Sequence, residues 1–336
     1  MKPDTYKEAT KINELITAAK KVVIIQADNP DADSLASALA LEEILCTQGR
    51  EVTLYCGVDL PSYLSYLPGW DRVTTQMPSS FDLTIIVDTV SITLLEQLSK
   101  KGFKAWVAAR PCIVIDHHST ELTIDFATVT LIAKAVASGQ VIYELGKQLE
   151  WELNVTACSL ITSAILSDSL GLTTSETTAR SIQIVAEAVE VGVSLPELEV
   201  ARRETMRREP ELIHYKGQLL QRVEFHSENR IATITVPWEE IEKYSPLYNP
   251  PMLVLDDMRL AKGTEVAICF KLYTDGKVTA KIRCNHGHGI ANELAEHFGG
   301  GGHDYAAGYK VHDGRSYEEL KAETIGFATK LLDGDT

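Results

Sequence analysis

The chain has 336 residues, 45% hydrophobic and 24% charged, which gives enough apolar material for a sizeable core and too much for a disordered chain. Lys and Arg number 32 against 47 Asp and Glu, so the formal charge of −15 repels any long polyanion and excludes long duplex DNA as a partner. A short anion held in a local basic pocket is still allowed, because screening confines such fields to roughly 10 Å.

At ~100 to 200 residues per domain, two domains are expected. The first half alternates short apolar runs with helical patterns. KVVIIQ at 21–26 is β-branched and leads into polar DNPDAD, after which SLASALALEEILCTQG has helical periodicity and a stop at Gly49. EVTLYC (51–56), LTIIVD (83–88) and CIVID (112–116) follow as short buried strands, interleaved with helix candidates such as 92–101. Buried strands alternating with helices predict an α/β fold with a mainly parallel sheet and helices on both faces. Longer helical patterns cover 136–149, 155–167 and 178–191. The charged stretch ARRETMRREPELIHYKG reads as a helical connector. From Arg222 the texture becomes alternating strands (VEFHS, IATITV, EVAICFKLY, KVTAKIRCN) with a turn at Asp275-Gly276, then a helix at 290–298 that runs into GGGGHDYAAGY. The expected division is 1–190, a connector at 191–220, and a smaller mixed α/β domain at 221–330.

No stretch approaches the ~20 apolar residues of a membrane span, and MKPDTYKEATKINEL lacks the apolar core of a signal peptide, so a cytoplasmic chain with no membrane partner is expected. The six cysteines are scattered singly without a CxxC pair, which fits reduced core residues better than a zinc ribbon or a disulfide framework.

Ligands of an open parallel sheet bind at the carboxyl ends of its strands. There the sequence places Asp31 and Asp33 (NPDAD), Asp88 (VDT), and Asp116, His117 and His118 (DHH), while Asp168 (SDS) follows an apolar helix. Taken alone, Asp31, Asp33 or Asp88 would serve as a helix N-cap or turn residue, Asp168 as a surface residue, and the His117-His118 pair as a solvated loop. Together they offer hard oxygen donors with imidazoles, a set suited to Mn²⁺ or Mg²⁺, with enough carboxylates for two ions that share a bridging Asp. Such a pair activates water and stabilises the leaving oxygen in phosphoester hydrolysis.

NPDAD, VDT, DHH and SD, in that order, resemble the four motifs of the DHH phosphoesterases, and FGGGGHDYAAG resembles the signature of their DHH-associated C-terminal nucleotide-binding domain. The resemblance covers residues 20–315 and implies an N-terminal DHH catalytic domain and a C-terminal substrate domain. It implies two Mn²⁺ ions, with Asp88 bridging them, Asp31 on the first, and Asp33, His117 and Asp168 on the second. Asp116 resembles the residue that orients the neighbouring imidazole, and His118 the residue that contacts the scissile phosphate or protonates the leaving group. Arg283 resembles a phosphate-clamping arginine; Gly299, Gly300, Gly301 and Gly302 would let the ligand approach the backbone, with His303 facing the same cleft.

One departure matters. The family's first motif carries a His three residues before the Pro, and here that position is Ala27, so the first ion is expected to be weakly held. Gln26 and Asp28 flank the gap, although strand alternation points both away from the direction of residue 27. Ser169 stands where Thr is usual and keeps the hydroxyl. A compact chain of this architecture resembles the nanoRNase and phosphoadenosine-phosphate phosphatase branch. The resemblance therefore implies hydrolysis of short oligoribonucleotides or dinucleotides such as di-adenylate, and of 3′-phosphoadenosine 5′-phosphate, by a homodimer. The alternative is a nucleotide-binding DHH protein with weak or no hydrolysis, owing to Ala27. RRETMRR reads as a solvated helix face, and NHGHG as a loop.

Overall fold

A computed structural model describes residues 5–334. The chain forms two units, one ending at Arg207 and the other beginning at Arg208.

The first unit runs α1 (Ala9–Ala18), β1 (Lys21–Ile25), α2 (Ala32–Thr47), β2 (Glu51–Tyr55), β3 (Leu83–Val87), α3 (Glu96–Lys100), α4 (Lys104–Ala108), β4 (Cys112–Asp116), β5 (Val129–Ile132), α5 (Ser138–Gln148), α6 (Val155–Asp168), α7 (Ala179–Val191) and α8 (Leu195–Thr205). Its five strands are all parallel in the order β2-β1-β3-β4-β5. Side-chain alternation splits the core between the two faces. Val22, Ile24, Ile85 and Val87 pack under α1, α2, α5 and α6, while Val23, Ile25, Ile86 and Val114 pack toward α3 and α4. The strands read as continuous apolar runs because both faces are covered. Strand order reverses between β1 and β3, which is where a crevice opens in this kind of sheet.

Two expected elements differ. The third strand ends at Val87, one residue early: Asp88 N still donates to Ile115 O of β4 at 3.0 Å, but its backbone turns to φ +60°. The helix expected over 92–101 is a 3-10 turn at Ile92–Leu95 followed by the short α3.

The second unit runs α9 (Pro210–Gln221), β6 (Glu224–His226), β7 (Ile231–Val236), α10 (Trp238–Tyr244), α11 (Pro251–Arg259), β8 (Val266–Leu272), β9 (Val278–Cys284), α12 (Ala291–His297), β10 (Gly301–His303), β11 (Ala306–Val311) and α13 (Tyr317–Asp333). Its sheet, β10-β11-β9-β8-β7-β6, is antiparallel except for the β7/β8 pair. One face packs on α12 and α13 through Ile268, Phe270, Ala280 and Ile282. The other packs on α9, α10 and α11 through Ala232, Ile234, Ala267 and Cys269 of β7 and β8. The stretch read as a connector thus holds two helices, α8 and α9, with the unit boundary between them. Arg202 and Arg203 pair with Glu199, and Arg207 pairs with Glu204, as on a solvated helix face. Five of the six cysteines are buried; Cys46 is exposed. Among the described residues, no helix is long and apolar enough to cross a membrane.

Candidate metal centre

Each strand end supplies the next layer of the site. Asp31 ends the turn after β1 and caps α2, with its Oδ1 accepting from Ser34 N at 2.9 Å. The capping role available to any such Asp is therefore real here. Asp33, in the first turn of α2, is fully buried. Its Oδ2 accepts from Ser138 N at 2.7 Å, and its Oδ1 accepts from Gly139 N at 3.1 Å and Ser37 Oγ at 2.9 Å. These bonds satisfy the orphan N–H groups that open α5 and fix the carboxylate between two helix N-termini. Asp88 accepts from Ser138 Oγ at 3.0 Å and holds a left-handed backbone that a non-glycine residue rarely adopts. Strain of this kind persists where surrounding packing over-determines it.

His117 is the centre of the arrangement. Its Nδ1 lies 3.1 Å from the Ala135 carbonyl and donates to it, so Nε2 points the other way. That Nε2 is buried without a hydrogen-bond partner, and it faces Asp168 Oδ2 at 3.3 Å, Asp88 Oδ1 at 3.6 Å and Asp33 Oδ2 at 3.7 Å. Two overlapping clusters have donor atoms within 4.8 Å of one another: Asp33, His117 and Asp168, and Asp88, Asp116, His117 and His118. Asp31 lies outside both donor groups and acts electrostatically on Asp33 and Asp88.

The charge is far from comfortable. Burial, followed by the repulsion of Asp168, raises the Asp33 carboxyl to about 6. Burial and then Asp33 raise Asp88 well above the carboxylate range. Burial alone would lower the His117 imidazole, but Asp168 and Asp33 outweigh it and lift it to about 9. Crowded buried carboxylates around an unpartnered imidazole nitrogen need a cation, and the donor set fits a divalent metal ion.

Asp116 serves His118 rather than His117. Its Oδ1 accepts from the backbone N–H of both histidines, at 2.7 and 3.1 Å, and from His118 Nδ1 at 2.7 Å. That bond raises the His118 pKa and turns Nε2 outward on a half-exposed ring.

Beside Ala27, the two flanking residues behave differently. Asp28 Oδ2 accepts from Gln97 N at 2.8 Å, and this carboxylate lies against Gly57. Gln26 is fully buried, and neither of its amide atoms has a hydrogen-bond partner. Nothing in the sequence pattern announces that orphaned amide, since a Gln at a strand end is ordinary.

In the second unit, Arg283 and His303 both lie in the row of Ala306 on one sheet face, two strands or about 10 Å apart. The glycines divide. A Cβ on Gly300 would fall 2.3 Å from Gly308 O, and one on Gly302 would fall 2.6 Å from Ala306 O, so these two are required by close strand packing. Gly299 has φ +74°, and a Cβ on Gly301 would make an ordinary contact with Asn292 Oδ1 at 3.9 Å. His286 stacks near Tyr305 with ring centroids 6.0 Å apart, and His288 Nδ1 lies 3.6 Å from Glu265; neither is in a donor cluster.

Residues 21–165 match the DHH family, N-terminal domain. The chain is 24% identical over 319 residues to the bifunctional oligoribonuclease and PAP phosphatase NrnA of Bacillus subtilis, covering 94% of this chain and 96% of that protein. Its fold is similar to that of an exopolyphosphatase-related protein from Bacteroides fragilis, with a TM-score of 0.79 and 19% identity over 97% of both chains. RecJ of Thermus thermophilus, solved in complex with Mn²⁺, aligns with a TM-score of 0.51 and 14% identity over 96% of this chain and 54% of its own. Asp31, Asp33, Asp88, Asp116 and the two adjacent histidines thus lie within the residues that match the N-terminal domain of the DHH family, in a fold similar to that of the Bacteroides fragilis protein.

Proposed function

We propose that this protein is a metal-dependent phosphoesterase that hydrolyses short oligoribonucleotides such as di-adenylate, and also 3′-phosphoadenosine 5′-phosphate. The observation that carries the reading is the unpartnered His117 Nε2 facing Asp33, Asp88 and Asp168 at 3.3 to 3.7 Å. The whole-length similarity to an oligoribonuclease and PAP phosphatase favours these substrates. The net charge of −15 also suits a substrate with few phosphates.

Asp33, Asp88, His117 and Asp168 would hold a divalent ion, and Asp31, next to them in charge, would complete a second position bridged by Asp88; Mn²⁺ is the expected metal and Mg²⁺ the runner-up. When bound, the ions supply Lewis acidity at the phosphoryl oxygens and a more acidic water. Ser138 steers Asp88 through its hydroxyl, and its backbone N–H fixes Asp33, so the carboxylates are set before substrate arrives. Asp116 holds the His118 ring by Nδ1, and that bond raises its pKa and so favours the protonated ring, whose outward Nε2–H would pass its proton to the departing oxygen. In the second unit, Arg283 and His303 would grip a non-reacting phosphate or base.

A second reading rests on Ala27: a nucleotide-binding protein that turns over weakly because the first ion lacks an imidazole. Release of mononucleotide from 5′-phosphorylated di-adenylate by Mn²⁺-loaded protein separates the two. Metal-dependent product supports the phosphoesterase, whereas dinucleotide binding without product contradicts it.

A further inference from the structure

The sheet face that carries Arg283 continues past it. Alternation along β9 puts Thr279, Lys281 and Arg283 on that face, opposite the α12/α13 core. Lys281 is flanked by Cys269 of β8 and Gly308 of β11, with Gly301 beyond; Thr279 is flanked by Lys271 and Lys310. The three lysines therefore border one patch, and they line a cavity of about 580 Å³ together with Tyr273, Gly300 and Gly308.

Three properties set this cavity apart. Among the described residues no carboxylate lines it, in a chain whose acids outnumber its bases by 47 to 32. Lys271 donates to Asn249 Oδ1 at 2.7 Å, but Lys281 and Lys310 have no hydrogen-bond or ion-pair partner among the described residues. Burial, with the nearby Lys281 charge, holds the Lys271 ammonium below its usual range. Cations gathered without a counter-charge raise the free energy of the empty state and favour an anion. Gly308, which the close approach of Ala280 O requires to be glycine, places no side chain between the lysines.

We propose that this lysine cavity is a second phosphate subsite, which takes the next phosphodiester along an oligonucleotide whose neighbouring phosphate is held by Arg283. Lys281 is two residues from Arg283 on the same face, or about 7 Å, of the order of the step between consecutive phosphates in an extended strand. Lysines act there as point charges, which tolerate a flexible backbone better than the planar fork of an arginine. The subsite rests on the oligonucleotide reading above and sharpens it: the protein prefers three nucleotides to two.

The test is binding of hydrolysis-resistant phosphorothioate di- and tri-adenylates with a 5′-phosphate to the full, Mn²⁺-loaded protein, read by fluorescence anisotropy. The wild type is expected to bind the trinucleotide about tenfold tighter than the dinucleotide. Lys281→Gln with Lys310→Gln removes that advantage, leaves the dinucleotide within twofold, and makes the trinucleotide affinity less sensitive to salt by about one to two phosphate contacts. Lys281→Arg, which keeps the charge, retains the advantage. Equal loss for both ligands, or no change for either, overturns the subsite while leaving the substrate reading in place. Failure of the wild type to bind either ligand overturns both.

Discussion

The two units solve opposite electrostatic problems. In the first, acids are buried: Asp33 is fully enclosed, Asp88 nearly so, and among the described residues neither has a lysine or arginine as its partner. In the second, bases lie open on a sheet face where Arg283, Lys281 and Lys310 follow one another with no carboxylate in the cavity that the lysines line. Net charge alone would not suggest this division. The lesson is that a strongly acidic chain can bury carboxylates in a donor set suited to cations and still keep a locally basic surface elsewhere.

The sharpest way to break the comparison is at Asp88, which faces both clusters through His117 and His118. Asp88→Asn keeps a side chain that tolerates the left-handed backbone and removes the charge. Turnover of di-adenylate should fall by about a thousandfold or more, with the folded far-ultraviolet signature unchanged; near-normal rates would exclude Asp88 from the bridging position. On the other unit, Arg283→Ala should weaken substrate binding by roughly tenfold to a hundredfold, the range for a lost charged hydrogen bond, with metal stoichiometry unaffected. A loss of metal in that variant would mean the two regions are not separable. Ala27→His restores an imidazole to the first motif and should tighten the weaker ion by about tenfold, seen as a lower Mn²⁺ concentration for half-maximal rate. An unchanged metal dependence would show that another group, such as the unpartnered Gln26 amide, already fills that place.

The smallest effect is on stability. Asp33 rises from 3.8 to about 6 and His117 from 6.5 to about 9, so the metal-free native state holds protons that the unfolded chain has released. Stability of the metal-free protein from these groups is therefore greatest below about pH 4 to 6 and falls as pH rises toward 9. A cation held by Asp33 and His117 would take the place of those protons. The difference in Tm between Mn²⁺-loaded and chelator-treated protein should widen by several degrees from pH 5.5 to pH 8; a constant difference would mean the cluster does not carry the linkage.

Much of the first unit was legible in the sequence because its signals are local. Short β-branched runs mark β1 to β4, and NPDAD, VDT, DHH and SD sit at or just beyond strand and helix ends. What escaped was set by tertiary packing. The 3-10 turn at Ile92–Leu95 has ordinary helical composition, and Asp88 leaves its strand because of a backbone turn that no periodicity records. The β5 strand is four residues long with little alternation. In the second unit, α13 had a readable signal, the Ser316 and Glu319 capping box, whereas β11 was hidden inside the glycine-rich signature. The glycines looked like a ligand cradle in sequence, but Gly300 and Gly302 are also forced by strand contact, which only three-dimensional spacing reveals. The Asp116 bond to His118 was similarly ambiguous, because two adjacent histidines compete for one carboxylate in any linear reading.

The central claim is that the carboxylates around His117 Nε2 hold divalent cations. Titration of chelator-treated protein with Mn²⁺, followed by calorimetry and by the paramagnetic signal of free ion, tests it directly. The account predicts saturable binding of two ions with unequal affinities, the tighter one lost in His117→Ala. Absence of saturable binding in the wild type, or undiminished binding in His117→Ala, would contradict it.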